Sequence, residues 1–403
     1  MRRLTLGLCA GFVAGYGAVR FLEAWSDVRK PAEPLPKNPV AYGATKRAVM
    51  IAGVARSLAG QAVAAFVFAD RLPPGIRDSD RPIVAAAYNA LATLIEAVLD
   101  TPIDYAERYV LERRYGLSDQ TVAEWLRERA KATALGMVLG MPVVTGLLWI
   151  ARRFPKTWPL ISSIAAVPLL TLLTLVAPVY VAPLFNKFER LEGPLEQRLR
   201  RLAARYGAGN AEIFRFDMSR QTKKANAYVT GLLGSHRIAI GDTLLDGFEE
   251  EEIEFVVAHE LGHYVAGDTL VSIGIGSLAA TFLIFAGKAL ALAEGERVAS
   301  VHGLARFSFT TQLLATLVGP LIAAGSRAIE RRADRFALAA TGHPEWGVAA
   351  FERLREQNLA EDEEPRWAEL LISTHPSLRS RIERLRKYLT DAQRPRGAHG
   401  SNA

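Results

Sequence analysis

Seven stretches of roughly 20 mostly apolar residues, set between charged segments, constrain this 403-residue chain most, because a bilayer's hydrocarbon core requires helices of that length. The windows are Leu4–Trp25, Ala48–Ala69, Ile83–Ile103, Ala132–Ala151, Trp158–Val181, Thr269–Leu292 and Phe307–Gly325. The third is the weakest, since Asn89, Glu96 and Asp100 interrupt it. Arg20, Glu23, Arg56, Gln61, Asn89 and Glu96 would be costly against lipid, so they are predicted to face one another or a water-filled interior. With 50% hydrophobic and 23% charged residues, the chain reads as a mostly α-helical, multi-pass membrane protein with polar parts attached. Its net charge of +7 is spread among acidic residues rather than gathered with aromatic platforms, so membrane lipids are expected as partners and nucleic acid is not.

The first window has the basic flank and apolar run of a signal peptide. No small-x-small site follows, and the run continues through Phe21, Leu22 and Trp25, so an uncleaved span is expected. Cys9 is the single cysteine, which excludes an intramolecular disulfide and any cysteine-rich metal site.

The expected organisation is 1–185 for five spans with their loops, 186–268 for a first polar segment, 269–325 for spans six and seven, 326–390 for a second polar segment, and a disordered tail over 391–403. Two spans separate the polar segments, so both emerge on one side of the membrane and can build one site. The Arg-rich loops 27–47 and 107–131 favour placing that site in the cytoplasm, whereas the Arg2-Arg3 start argues the reverse. In the first polar segment, Gly193–Tyr206 has helical spacing of Leu195, Leu199 and Leu202. The run AYVTG-LLGS-HRIAIG reads as a β-hairpin turning near Gly231 and Gly234, and Glu249–Ala266 is again helical with an acidic first turn.

That last helix carries His259-Glu260-Leu261-Gly262-His263. Residues four apart share a helix face, so both imidazoles can reach one ion while Glu260 addresses a water beside it. Zinc suits this geometry, one ion per chain, and two histidines leave it one protein ligand short. The flanking Phe255, Val256, Val257, Ala258 and Leu261 imply a buried helix, whose histidines need partners that a metal supplies. In the second polar segment Glu330, Ala333, Asp334 and Ala337 share a face, with alanines small enough for close helix approach. Glu330 is a candidate third ligand, and Asp334 a candidate acceptor for an imidazole N–H. An ordinary charged surface helix explains the same pattern equally well on spacing alone.

Taken together, HELGH, Ser326–Asp334 and Thr374-His375-Pro376-Ser377-Leu378-Arg379-Ser380-Arg381-Ile382 resemble the CAAX prenyl protease 1 family of gluzincin-type membrane zinc endopeptidases. So do Ala182–Phe188, Asn226-Ala227-Tyr228 with Asp242–Leu245, and Pro102, Tyr105, Glu112 and Tyr115-Gly116-Leu117, in family order over nearly the whole chain. The resemblance implies a seven-helix barrel around a membrane chamber, capped on the cytoplasmic side by the zinc domain with its small sheet. It implies His259, His263 and Glu330 as metal ligands and Glu260 as general base. It further implies that His375 polarises the scissile carbonyl and that Asn226 lies near the substrate backbone, beside a strand edge able to add the peptide. His375 could instead cap the following helix, and Asn226 could be turn chemistry. Tyr264 stands where the family usually has Trp.

The expected activity is endoproteolysis of membrane-associated or prenylated CAAX-type peptides, or membrane-protein quality control without prenyl specificity. The alanine- and arginine-rich composition points to a bacterial inner membrane. A transporter or channel with structural zinc is the reading from another class, as is an idle lipid- or peptide-binding protein. An intact Glu260 disfavours both.

Overall fold

The computed structural model describes residues 34–79, 81–231, 237–292 and 297–393. The first apolar window, Cys9, Arg20, Glu23 and the tail beyond Gln393 lie outside them. Two compact units emerge, one of residues 1–177 and 271–320, the other of 178–270 and 321–403.

The first unit is built on long helices. α1 starts at Pro39 behind the Asn38 cap and reaches Arg71 through a π-helical stretch over Ala64–Phe68. α2 starts at Pro82 and runs to Arg114, with π-helical geometry over Tyr105–Leu111. α3 spans Val122–Arg153, opened by a reciprocal Thr121–Glu124 capping box, and α4 starts at Trp158 and continues to Leu184. Six helices among the described residues are long and apolar enough to cross a membrane, those of the second to seventh windows. Their most apolar stretches are only 6% to 11% buried within the chain, as lipid-facing surfaces should be. Some of the polar residues in the windows find one another instead: Arg56 Nη2 lies 2.7 Å from Glu96 and 2.5 Å from Asp100, whereas Gln61 Oε1 is buried without a hydrogen-bond partner among the described residues. Arg129 pairs with Asp104 and reaches Thr101 Oγ1 at 3.2 Å. Glu96 and Asp100, two of the three residues that interrupt the third window, are therefore ion-paired with Arg56 on α1.

The second unit contains a four-stranded sheet in the order β1-β2-β4-β3, with β1 Phe188–Arg190, β2 Glu212–Phe216, β3 Ala227–Thr230 and β4 Arg237–Gly241. β2 and β4 are parallel; β3 and β4 form the expected antiparallel hairpin. α5 (Pro194–Arg205) follows β1, and α6 (Glu250–Val265) opens with a capping box between Glu249 and Glu252. α7 spans Asp268–Ala291 and α8 spans Val301–Thr341, α7 from Val271 and α8 up to Pro320 belonging to the first unit. α8 joins the seventh apolar window and the Glu330 segment in one helix, about 60 Å long at the usual rise per residue. α9 (Pro344–Gln357) and α10 (Leu378–Gln393) complete the unit. Leu199, Leu202, Ile238, Ile240, Phe255 and Leu261 are almost fully buried in a single core joining the sheet to α5 and α6. Residues Glu252 to His259, Leu261 and Gly262 are all buried, so α6 runs through the core rather than along its surface.

Candidate metal centre

His259 and His263 stand one turn apart on α6, and Glu330 faces them from α8. Close approach of these helices depends on Gly262, where a Cβ would lie 3.2 Å from Ala333 Cα and 3.1 Å from the Phe336 ring. Ala333 and Ala337 on α8 are 1% and 0% exposed, so small residues line both sides of the contact. The sequence indicates the alanine half; the glycine within the motif is the other.

Donor atoms of three residues converge. His259 Nε2 and His263 Nε2 are 3.2 Å apart, and the Glu330 carboxylate oxygens lie 3.3 Å from the first and 3.4 Å from the second. Four ligands held tetrahedrally at the usual zinc distances of about 2.0–2.1 Å are separated by about 3.3–3.4 Å. The three residues therefore stand at the spacings expected of ligands to one such ion, a different Glu330 oxygen lying near each histidine. His259 Nδ1 is 3.1 Å from Asp334 Oδ1, and His263 Nδ1 is 2.9 Å from Asp268 Oδ2. With each Nδ1–H donated to a carboxylate, the Nε2 lone pairs point at each other, an arrangement a shared cation relieves. Glu330 Oε2 is buried and makes no well-formed hydrogen bond, although His259 Nε2 is near. His259, His263 and Glu330 thus suit a metal ion in both chemistry and spacing.

Electrostatics agree. Burial alone would lower the pKa of both imidazoles, but Asp334 and Glu330 around His259, and Glu330 and Glu260 around His263, outweigh it and hold both above the usual range. Excess negative charge makes the cluster a site for a cation. Burial pushes Glu260 upward, partly opposed by the two histidines, so its carboxyl sits above the ordinary glutamate range.

Two supporting residues lacked a role in the sequence reading. Arg381 grips Asp334 through Nε at 3.0 and 3.2 Å and Nη2 at 2.5 Å, approaches His259 Nδ1 to 3.3 Å, and lies 4.1 Å over the Phe351 ring. Asp268 is paired with Arg332 and reaches His263 because Gly267, at φ +69°, turns the chain sharply after α6. A carboxylate five residues beyond the second histidine, at the head of an apolar span, was the available signal.

His375 Nε2 lies 3.4 Å from Glu330 Oε1, with its side chain 61% exposed. Ser377, whose Oγ accepts the Ser380 N–H at 3.4 Å, caps α10, so capping does not account for His375. Asn226 precedes β3, and its carbonyl accepts the Gly241 N–H at 2.9 Å. Glu260, His375 and Asn226 line one pocket of about 680 Å³ with the three donor residues.

Comparison with known proteins matches residues 189–389 to the peptidase family M48 and residues 47–187 to the CAAX prenyl protease N-terminal family of five membrane helices. An uncharacterized metalloprotease of Bacillus subtilis, YhfN, is 28% identical over 305 residues, covering 73% of this chain and 71% of that protein. A CAAX prenyl protease 1 homolog of Arabidopsis thaliana is 32% identical over 302 residues, covering 72% and 69%. The crystal structure of S. mikatae Ste24p superposes with a TM-score of 0.73 at 21% identity, covering 93% of this chain and 98% of that one.

Proposed function

Given that the chain belongs to the CAAX prenyl protease 1 family of M48 metalloproteases, and is a multi-pass integral membrane protein, we propose that it is a zinc-dependent endopeptidase cutting membrane-associated or prenylated CAAX-type peptides. The observation that carries this reading is the triangle of His259, His263 and Glu330 donors beside Glu260 in one pocket. These three residues would hold a single zinc, which when bound would supply Lewis-acid polarisation and make water acidic enough to react near neutrality. Asp334 and Asp268 fix the tautomers of His259 and His263 so that both Nε2 atoms remain acceptors. Glu260 takes a proton from the attacking water and returns it to the leaving amine. His375 donates from Nε2 to the oxygen of the scissile carbonyl as charge develops on it. The peptide lies along the outer edge of β3 beside Asn226, pairing as an added strand. The compartment consistent with the Arg-rich loops is the cytoplasmic face of a bacterial inner membrane.

The test uses detergent-purified protein and a fluorogenic farnesylated CAAX peptide. Glu260→Gln is expected to keep about one zinc per chain and to lose cleavage by about 10²–10⁴-fold. Wild-type cleavage by that variant would overturn the assignment of the base, and absence of zinc from the wild type would overturn the site. Equal cleavage of farnesylated and unmodified peptides would move the substrate class to membrane proteins in general.

A further inference from the structure

β3 is an outer strand of the sheet, and among the described residues no strand pairs with its outer edge. Its register against β4 places Ala227 opposite Ile240 and Tyr228 opposite Ala239. In an antiparallel pair, alternate residues bond inward. The Gly241 N–H bond to the Asn226 carbonyl sets the phase: Asn226, Tyr228 and Thr230 turn their backbone groups toward β4. Ala225, Ala227 and Val229 turn theirs outward.

At the first outward position the place of a neighbouring strand is taken by a side chain. Asn358 Oδ1 accepts the Ala225 N–H at 2.8 Å, and Asn358 Nδ2 faces the Ala225 carbonyl at 3.4 Å. One carboxamide thus meets the donor and acceptor that an added peptide would otherwise use. Its placement is firmly determined. Gln357 Nε2 donates to the Lys223 and Thr243 carbonyls. Leu359 adopts φ +51°, the one non-glycine residue of positive φ among those described. The Ala360 N–H reaches Arg355 O and the Leu359 N–H reaches Glu356 O, the two bonds of a Schellman end, with leucine where glycine is usual. A left-handed conformation is unfavourable for leucine, and Leu359 is held there at 4% exposure. This corner aims Asn358 back at Ala225. Ala225, Asn226, Ala227 and Asn358 all line the pocket that holds Glu260.

We infer that Asn358 is a positioning residue that ends the substrate-binding edge of β3 at Ala227 and so sets which peptide bond is presented for cleavage. The inference rests on the strand-addition reading above. With Ala225 occupied, an incoming strand pairs at Ala227 and Val229. Releasing Ala225 opens a second register displaced by two residues, since a one-residue slip would turn every side chain to the other face.

The test maps cleaved bonds by mass spectrometry in a library of short peptides, farnesylated and unmodified, for the wild type, Asn358→Leu, Asn358→Ala and Asn358→Asp. In the Leu and Ala variants a second product displaced by two residues is expected. Asn358→Asp keeps the acceptor for the Ala225 N–H and is expected to retain the wild-type bond. An unchanged single bond in folded, metal-loaded Leu and Ala variants would overturn the inference. A scan of the cleaved peptide with backbone N-methyl groups on the wild-type enzyme provides the control that needs no variant. Sensitivity at alternate positions supports strand addition, and its ending at the residue that would face Ala225 supports the stop. Uniform insensitivity would sink strand addition itself, whereas alternating sensitivity that continues past that residue would sink only the role of Asn358.

Discussion

The two units use the same kinds of residue in opposite ways. In the first, Val98 and Leu278 are 64% and 73% exposed, while Arg56, Glu96 and Asp100 turn toward one another. In the second, Phe255, Val257 and Leu261 are wholly buried and most charges lie outside. Water drives apolar groups inward in the peptidase unit, whereas lipid removes that drive and makes unpaired charge the costly surface. The metal centre is the largest cluster in which the second unit departs from that rule, burying His259, Glu330, Asp334 and Arg381 together, each with a charged or polar partner.

Substitutions can sharpen or break this contrast. Phe255→Ala should destabilise the peptidase unit by about 3–5 kcal/mol, read as a lower midpoint in denaturant with an unchanged helical signal from the spans. Chelation of the metal should come next, lowering the stability of the peptidase unit by about 3–4 kcal/mol for metal at 100 to 1,000 times its dissociation constant. A matching loss in the membrane unit would contradict the division. Asp268→Asn, which weakens the acceptor behind His263, should reduce metal affinity about 10–100-fold in competition with a chromogenic chelator. Leu278→Ala removes as much hydrocarbon as a core truncation, yet in lipid it should change stability by no more than about 0.5 kcal/mol. A loss as large as that of Phe255→Ala would mean that Leu278 is packed against protein.

Much of this architecture is legible in the sequence where the signal is local. The windows reveal themselves by length, the motif by its four-residue spacing, and the hairpin by glycines between apolar runs. β2 escapes because Ile213 and Phe214 are both buried in succession, which removes the two-residue alternation. The continuity of α8 is hidden because its composition changes from apolar to charged halfway along, although the helical period does not. Asp268 and Arg381 acquire meaning only through partners 5 and 122 residues away, His263 and His259. Asn358 is further still, 133 residues from the Ala225 backbone it meets, and nothing in its own neighbourhood announces that contact.

Glu330 follows both α7 and α8's apolar half in the chain, and this order gives the protein a timetable. A growing polypeptide acquires His259, Glu260 and His263 first, then must produce two more bilayer-crossing stretches before the carboxylate that completes the donor triangle exists. Arg381, which steadies Asp334, is made later again. On the proposed ligand set the centre is therefore complete only after both stretches have been made, and a chain truncated among its last spans lacks Glu330.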